Sequence, residues 1–272
     1  MTEEPMQITS TGDEGAVGPL FQVQRHEQII DLAMINGRVD VGGLAERFGV
    51  TTETIRRDLA HLQDQNLLRR VHGGAVPFEG LRHEPKLTVR GGLNAEEKIR
   101  ISKRALEELP HEGSIIIDSG STLSHFAELL PDDGQLTVVT NSIPVAQALE
   151  ANEATEVILI GGSLRKNTMA LVDSSGVESL RKIVVDVAFM CTDGVSPDRG
   201  FTTPYTEEVA IKRAMISSAR RAVALFDHSK VGNDQLHWFA SIDEMDTIIT
   251  GSEVEEPVLA AFRDFGPLVV SA

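Results

Sequence analysis

Residues Val39 to Ala75 read VDVGGLAERFGVTTETIRRDLAHLQDQNLLRRVHGGA. In Leu44-Ala45-Glu46-Arg47-Phe48 the apolar residues Leu44, Ala45 and Phe48 share one helical face. Gly49 follows, where a left-handed residue ends a helix. Thr51 or Thr52 can cap the next helix, expected from Thr52 to about Gln65. That helix places Ile55, Leu59 and Leu62 on one stripe, and Thr52, Glu53, Arg56, Arg57 and Ala60 on the other. Two helices joined at a glycine, with a buried seam and an arginine-bearing polar face, have the form needed to read a DNA major groove.

The residues beyond that helix predict a wing. Leu67 to Val71 suits a strand, His72-Gly73-Gly74 a turn, and Ala75-Val76 the returning strand. Arg69, Arg70 and His72 then lie within reach of phosphates, which set affinity and position while the helix face sets sequence choice. Upstream, Phe21 to Ile35 carries Val23, Ile29, Ile30, Leu32 and Ala33, a first helix ended by Gly37. The bland alternative is a three-helix packing unit with a solvated charged face.

Val50-Thr51-Thr52-Glu53-Thr54-Ile55-Arg56-Arg57-Asp58-Leu59, followed by Leu68-Arg69-Arg70-Val71-His72-Gly73-Gly74-Ala75, resembles the DNA-binding signature of DeoR-family transcriptional regulators. Thr51 stands where the family usually has serine, and keeps a capping hydroxyl. The resemblance implies a winged helix-turn-helix joined to a sugar-phosphate-sensing domain. The expected DNA-facing set is Thr51, Thr52, Glu53, Thr54, Arg56, Arg57, Arg69, Arg70, His72 and Gly73.

The net charge of the chain is −16 over 272 residues, which argues against indiscriminate nucleic-acid binding. Residues 20–80 hold seven Lys/Arg against eight Asp/Glu, so the segment expected to touch DNA is nearly neutral and the remainder is acidic. Cys191 is the sole cysteine, which excludes an intrachain disulfide and a cysteine-based zinc site. Its apolar surroundings predict a buried structural thiol. The sequence has no basic, apolar signal segment and no membrane-length apolar run, so a cytoplasmic protein without membrane contact is expected. No cofactor and no metal are expected.

Four segments are expected: a disordered tail over 1–19, a winged helix-turn-helix over 20–77, a Gly/Pro-containing linker over 78–93, and an α/β domain over 94–272. In the last of these, short unalternating apolar runs such as SIIID (Ser114–Asp118), LTVVT (Leu136–Thr140) and VVDVAFM (Val184–Met190) alternate with helical stretches. That pattern predicts a mostly parallel sheet covered on both faces, with a ligand site beyond the carboxyl ends of its strands.

Three of those ends carry small polar residues: Asp118-Ser119-Gly120-Ser121-Thr122, Thr140-Asn141-Ser142, and Gly161-Gly162. Glycine admits a ligand to the backbone, and hydroxyls with helix N-terminal amides suit a phosphate. Asp193, Lys212 and Lys230 add charge, lysine being a compact phosphate grip. These stretches, with Gly200-Phe201-Thr202 and Asp227-His228-Ser229-Lys230-Val231-Gly232, also resemble the DeoR effector domain over nearly its whole length. Ser121, His228 and Val231 differ from the commonest family residues, and Leu171 to Gly176 departs from the family's glycine pattern.

The resemblance implies a fold like that of ribose-phosphate isomerases, so an isomerase-like enzyme carrying a DNA-binding domain is the main rival reading. Isomerisation needs a carboxylate placed to move a proton. The residue before Lys212 is Ile211, which favours binding without turnover; Glu207 or Glu208 would serve only in a shifted register. A structural interaction module is the third class. The reading is a non-enzymatic regulator, a repressor of a carbohydrate operon. Its expected partners are operator DNA, a phosphorylated sugar or polyol effector, and further copies of itself as a dimer or tetramer.

Overall fold

The computed structural model describes residues 22–65, 67–77 and 87–272, which divide into two compact units, 1–81 and 82–272. The expected tail over 1–19 and Phe21 of the expected first helix lie outside the described residues, as do residues 78–86 of the expected linker.

The first unit runs α1 (Gln22–Asn36), β1 (Val39–Asp40), α2 (Val41–Phe48), α3 (Thr52–Asp64), β2 (Leu68–Val71) and β3 (Gly74–Pro77). Asp40 caps α2 by accepting from the Gly43 amide, and Gly49 ends it in the left-handed region at φ 61°. Thr51 caps α3 by accepting from the Thr54 amide. Leu44 and Phe48 of α2, Ile55, Leu59 and Leu62 of α3, Ile29 and Ala33 of α1, and Leu68 of β2 are buried together as the core. The wing is an antiparallel sheet in the order β1-β3-β2. Val39 pairs with Ala75 and Asp40 with Gly74, so the backbones approach closely there. A Cβ on Gly74 would lie 1.9 Å from the Val39 carbonyl oxygen, which excludes every other residue type.

The second unit begins with α4 (Leu87–Gly92), α5 (Ala95–Ala105), β4 (Glu112–Ile117), α6 (Ser121–Glu128), β5 (Gln135–Thr140), α7 (Ile143–Ala148) and β6 (Thr155–Leu159). A hairpin of β7 (Ser163–Arg165) and β8 (Ala170–Val172) precedes α8 (Ser174–Leu180) and β9 (Val185–Met190). Then come β10 (Gly194–Ser196), β11 (Gly200–Thr203), α9 (Thr206–Ser217), β12 (Ala219–Phe226) and β13 (His237–Ala240). The unit closes with β14 (Thr247–Thr250), α10 (Glu256–Arg263) and β15 (Leu268–Ser271).

Seven of these strands form a wholly parallel sheet in the order β15-β14-β12-β9-β4-β5-β6. Alternate residues of the inner strands β14, β12, β9, β4 and β5 enter opposite cores, while Ile158 and Leu159 of the edge strand β6 are exposed. Ile115 and Ile117 pack with Ile101 of α5, Phe126 of α6 and Val145 of α7. Ile116, Val139 and Met190 pack with Leu180 of α8 and with Ile211 and Met215 of α9. Phe226 and Ile248 join Phe201, Phe239 and Phe262 beneath α10 and the small sheet β10-β11-β13. Both faces of these inner strands are therefore dry, which explains why they read as continuous apolar runs.

Within the linker expected over 78–93, residues 87–92 form α4. Leu87 is buried, and Lys98 donates to the carbonyls of Arg90 (2.6 Å) and Leu93 (2.7 Å). Gly91 and Gly92 sit in the last turn, where helix-weakening residues are tolerated. Cys191 is a buried free thiol. Among the described residues no helix is long and apolar enough to cross a membrane.

Candidate functional site

In the first unit, Thr51, Thr52, Glu53, Arg56, Arg57, Arg69, Arg70, His72 and Gly73 are exposed and Thr54 is half-buried. The face opposite the Ile55–Leu59–Leu62 seam is thus open. Among the described residues Arg56 makes only a long contact with Glu53 (3.5 Å), which leaves its guanidinium available for a base or phosphate. The helix and wing are tied together, since Gln63 Oε1 accepts from the Arg70 amide at 3.0 Å. Arg38, which the sequence did not single out, donates to the His72 carbonyl (2.9 Å) and braces the turn. Gly73 adopts φ 76°, as a tight turn requires.

One buried charge fixes the register of α3. The Arg25 guanidinium and His26 both bind the Asp58 carboxylate, at 2.7 and 2.8 Å. Burial raises the Asp58 pKa, but Arg25 and His26 outweigh it and hold the carboxyl below its usual range. Asp58 belongs to the signature stretch yet points inward; its role is to orient the helix.

In the second unit, β4, β5 and β6 are neighbours and end at one edge of the sheet. Beyond β4, Asp118 accepts from the Ser119 amide at 2.8 Å, and its other oxygen takes the Lys212 ammonium at 2.5 Å. Ser119, Ser121 and Thr122 are buried, and α6 starts at Ser121 with Gly120 before it. A Cβ at Gly120 would lie 2.5 Å from Cys191 Sγ, so the close packing of this loop needs glycine.

Beyond β5, the Thr140 hydroxyl donates to the Ile117 carbonyl (2.7 Å) and accepts from the Ser142 amide (3.0 Å). Ser142 caps α7. Both hydroxyls are thus engaged in the scaffold. Asn141 differs: it is buried, its amide nitrogen donates to the Leu171 carbonyl (3.2 Å), and among the described residues its Oδ1 has no partner. A buried acceptor without a donor is costly unless a ligand supplies one. Gly161 and Gly162 are exposed, and the next residue, Ser163, is bound through its amide by Asp173 (3.0 Å).

Charged groups fill the rest of this edge. Lys212 lies in the interior of α9, fully enclosed, and also donates to the Cys191 carbonyl at 3.1 Å. Burial opposes its charge, but Asp118, Glu208 and Asp193 hold the ammonium above its usual range. The same burial pushes the Cys191 thiol up to about 12, so it stays protonated. Asp193 accepts from Arg90 (2.9 Å) and from Thr203 (3.3 Å). Against the effect of burial, Arg90, Lys230 and Lys212 keep its carboxyl below the usual range. Asp227 takes Asn94 (2.9 Å) and the Ser229 amide (3.1 Å).

Lys230 is half-buried, and among the described residues no hydrogen bond or ion pair engages its ammonium. Burial and the neighbouring Arg90 depress its pKa. Lys98, within 3.8 Å of Asp227, is pushed down to about 8, chiefly by burial.

Arg90, Asn94, Lys98 and Arg165 are cluster members that the sequence reading missed. Glu208 entered that reading only as a possible catalytic carboxylate. Its position four residues before Lys212 puts both on one face of α9, a signal the sequence does contain. Burial and the nearby Asp193 raise the Glu208 pKa above the usual range. Arg165 and the Thr203 hydroxyl (2.7 Å) each take one of its oxygens. Arg90 offered no such signal, lying in a glycine-containing stretch without periodicity.

Comparison with known proteins agrees with both halves. Residues 25–79 match the model of the DeoR-like helix-turn-helix domain, and residues 93–252 that of the DeoR C terminal sensor domain. The HTH-type transcriptional regulator GlpR of Haloferax volcanii is 33% identical over 252 residues, covering 92% of this chain and 98% of that protein. The Glycerol-3-phosphate regulon repressor of Escherichia coli is 32% identical over 247 residues, covering 89% and 96%. Likeness to solved structures is slight: ribose 5-phosphate isomerase A of Methanocaldococcus jannaschii superposes with a TM-score of 0.38 at 17% identity, over 51% of this chain and 55% of that one. With both domains matched in order, and relatives aligned over nearly their full length, this chain belongs to the DeoR family of helix-turn-helix transcriptional regulators.

Proposed function

We propose that the chain represses a carbohydrate-metabolism operon and releases its operator when a phosphorylated sugar or polyol fills the sensor. The DNA-binding domain spans 20–77, and 78–93 joins it to a sensor over 94–272. The α3 face with Thr52, Glu53, Arg56 and Arg57 reads the groove, with Thr51 and Thr54 at its cap. Arg69, Arg70, His72 and Gly73 meet phosphates. The effector is held by Ser119–Thr122, Asn141, Asp193 and Lys230, while Asp118, Thr140, Ser142, Gly161, Gly162 and Lys212 shape the pocket. The observation that carries this reading is that two groups beyond the carboxyl ends of strands in one sheet lack partners among the described residues: the half-buried Lys230 ammonium after β12 and the buried Asn141 Oδ1 after β5. An anionic group bearing hydroxyls satisfies both.

The Escherichia coli relative is named for glycerol 3-phosphate, which makes that compound the first to test. One recognition helix reads few base pairs, so the protein acts as a dimer or tetramer on a palindromic site, in the cytoplasm. It performs no turnover: both Glu208 oxygens are bound by Arg165 and Thr203, which supports a structural role for that carboxylate. The isomerase reading rests on the raised pKa of Glu208 beside Lys212, and interconversion of sugar-phosphate isomers by the purified protein would establish it.

The test is thermal unfolding against paired phosphorylated and unphosphorylated compounds, glycerol 3-phosphate with glycerol among them. A ligand at about 100 times its Kd adds roughly 2.7 kcal/mol to native stability. Stabilisation by a phosphorylated member alone, with loss of operator binding at the same concentration, is expected. Stabilisation by none removes the effector reading.

A further inference from the structure

The seven-stranded sheet ends in β15 on one side and β6 on the other, and among the described residues each pairs with one strand. The two edges differ in sequence. Strand β15 follows Gly266-Pro267, and Leu268 is its one exposed large apolar residue. Strand β6, Thr155-Glu156-Val157-Ile158-Leu159, contains no proline and a single charge, Glu156. Its last two residues, Ile158 and Leu159, are 40% and 43% exposed. Consecutive residues of a strand point to opposite faces, so this apolar surface wraps around the edge instead of lying on one side. An apolar, weakly charged edge is a template for another strand unless something covers it.

The free backbone groups can be placed along β6. The Ile160 amide donates to the Thr140 carbonyl of β5 at 2.7 Å. In a parallel pair, alternate residues turn their amides and carbonyls to opposite sides. Ile158 therefore also turns to β5, while Val157 and Leu159 turn outward. Charge is segregated along the same segment. Residues 150–156 hold Glu150, Glu153 and Glu156 and no Lys or Arg. Residues 157–172 hold Arg165 and Lys166 and no Asp or Glu. The three glutamates and Lys166 are exposed, whereas Arg165 is held by Glu208.

We propose that β6 is the docking edge for a second copy of this chain, the two β6 strands pairing antiparallel about a two-fold axis at Ile158. With that centre, Val157 lies opposite the partner's Leu159, and both carry outward amides and carbonyls, so they form hydrogen-bonded pairs. Ile158 meets the partner's Ile158 in the closer, non-hydrogen-bonded type of pair, where apolar side chains gain most. The glutamates at the amino end of each strand then face the partner's carboxyl end, towards its Lys166. Three alternatives are worse. Parallel pairing sets glutamate beside glutamate. A one-residue shift points outward amides at residues whose amides are already used by β5. A centre at Val157 halves the separation of the two Glu156 carboxylates. The inference needs neither ligand nor DNA, and so stands apart from the operator and effector readings. It gives the expected oligomer a definite, isologous contact surface.

Sedimentation and oxidative cross-linking of the full chain test it. Wild type is expected to sediment as a dimer or a higher even oligomer at micromolar concentration. L159K, which charges the edge at an exposed position, is expected to halve that mass, and L268K, on the opposite edge, to leave it unchanged. Cross-linking reads the register. Two Ile158 residues paired in this way have Cα atoms roughly 4.5 Å apart, within disulfide reach, whereas two Glu156 residues lie roughly 13 Å apart along the strands. Cys191 is buried, so an introduced thiol is the reactive one. On mild oxidation I158C is expected to give a disulfide-linked dimer on a denaturing gel and E156C to remain monomeric, a difference that misfolding cannot produce. A monomeric wild type, an undiminished mass in L159K, no I158C dimer, or equal cross-linking of I158C and E156C overturns the proposal. Halved mass in L268K but not in L159K also overturns it, in favour of β15.

Discussion

Arg25 of α1 and Asp58 of α3 are joined by a buried ion pair, Nε to Oδ2 at 2.7 Å, across 33 residues of sequence. The pair sets the angle at which the recognition helix leaves the core. Replacing Asp58 by Asn removes the buried carboxylate that Arg25 and His26 share, and breaking a buried pair of this kind costs about 3–5 kcal/mol. Because the folded-state pKa of Asp58 is lowered, its contribution is full above the ordinary carboxylate pKa and is lost as pH falls through the lower folded value. Wild-type unfolding should therefore steepen with acid below about pH 4, and D58N should lack that component. An acid profile that is the same in both proteins would remove Asp58 as its source.

The exposed face of α3 makes a separate prediction. R56A should weaken operator binding on the order of tenfold to a hundredfold and relax base preference at one position. R69A should instead weaken binding to all sequences alike and reduce its salt dependence by about one phosphate contact. Gel-shift titrations at several salt concentrations separate the two. Retained affinity and preference in R56A would take that arginine off the reading face.

Gly74 has no alternative. G74A places a methyl group 1.9 Å from the Val39 carbonyl oxygen, so β1 must separate from β3. Loss of operator binding is expected, while the phosphorylated effector still raises the unfolding temperature of the sensor. A wing that keeps full DNA affinity would show that β1 tolerates the displacement.

Lys230→Ala should abolish the effector response without reducing operator affinity. The measurement is operator occupancy as the effector is titrated, with wild type alongside. A response that survives the substitution would move the anion site away from this lysine.

Spacing made much of this molecule legible. The Leu44–Phe48 and Ile55–Leu62 stripes, Gly49 and the Thr51 cap mark the helix-turn-helix because each acts within a few residues. The strand interiors around Ile116, Val138 and Val187 were legible because both faces of the sheet are dry there. The short strands β7, β8, β10, β11 and β13 carry no period long enough to see. Arg90 and α4 were invisible for another reason: a helix of six residues with two glycines has no local stability, and forms because Lys98, Asp193 and Asn167 hold it. Among the predicted site residues, Thr140 and Ser142 illustrate the converse. Their hydroxyls stand where a ligand would be sought, yet they stitch strand to strand and cap a helix.

The strand order also governs when the protein becomes regulable. Central strand β4 pairs on one side with β5, but on its other side with β9, Ile117 lying opposite Phe189. The sheet cannot close at its centre until the ribosome has delivered Val185 to Met190. The helix-turn-helix needs only contacts within residues 22–77, and closing such short loops is fast. During synthesis the chain thus acquires its operator-reading surface well before its sensor. A polypeptide halted before β9 is expected to carry a folded helix-turn-helix and no working sensor.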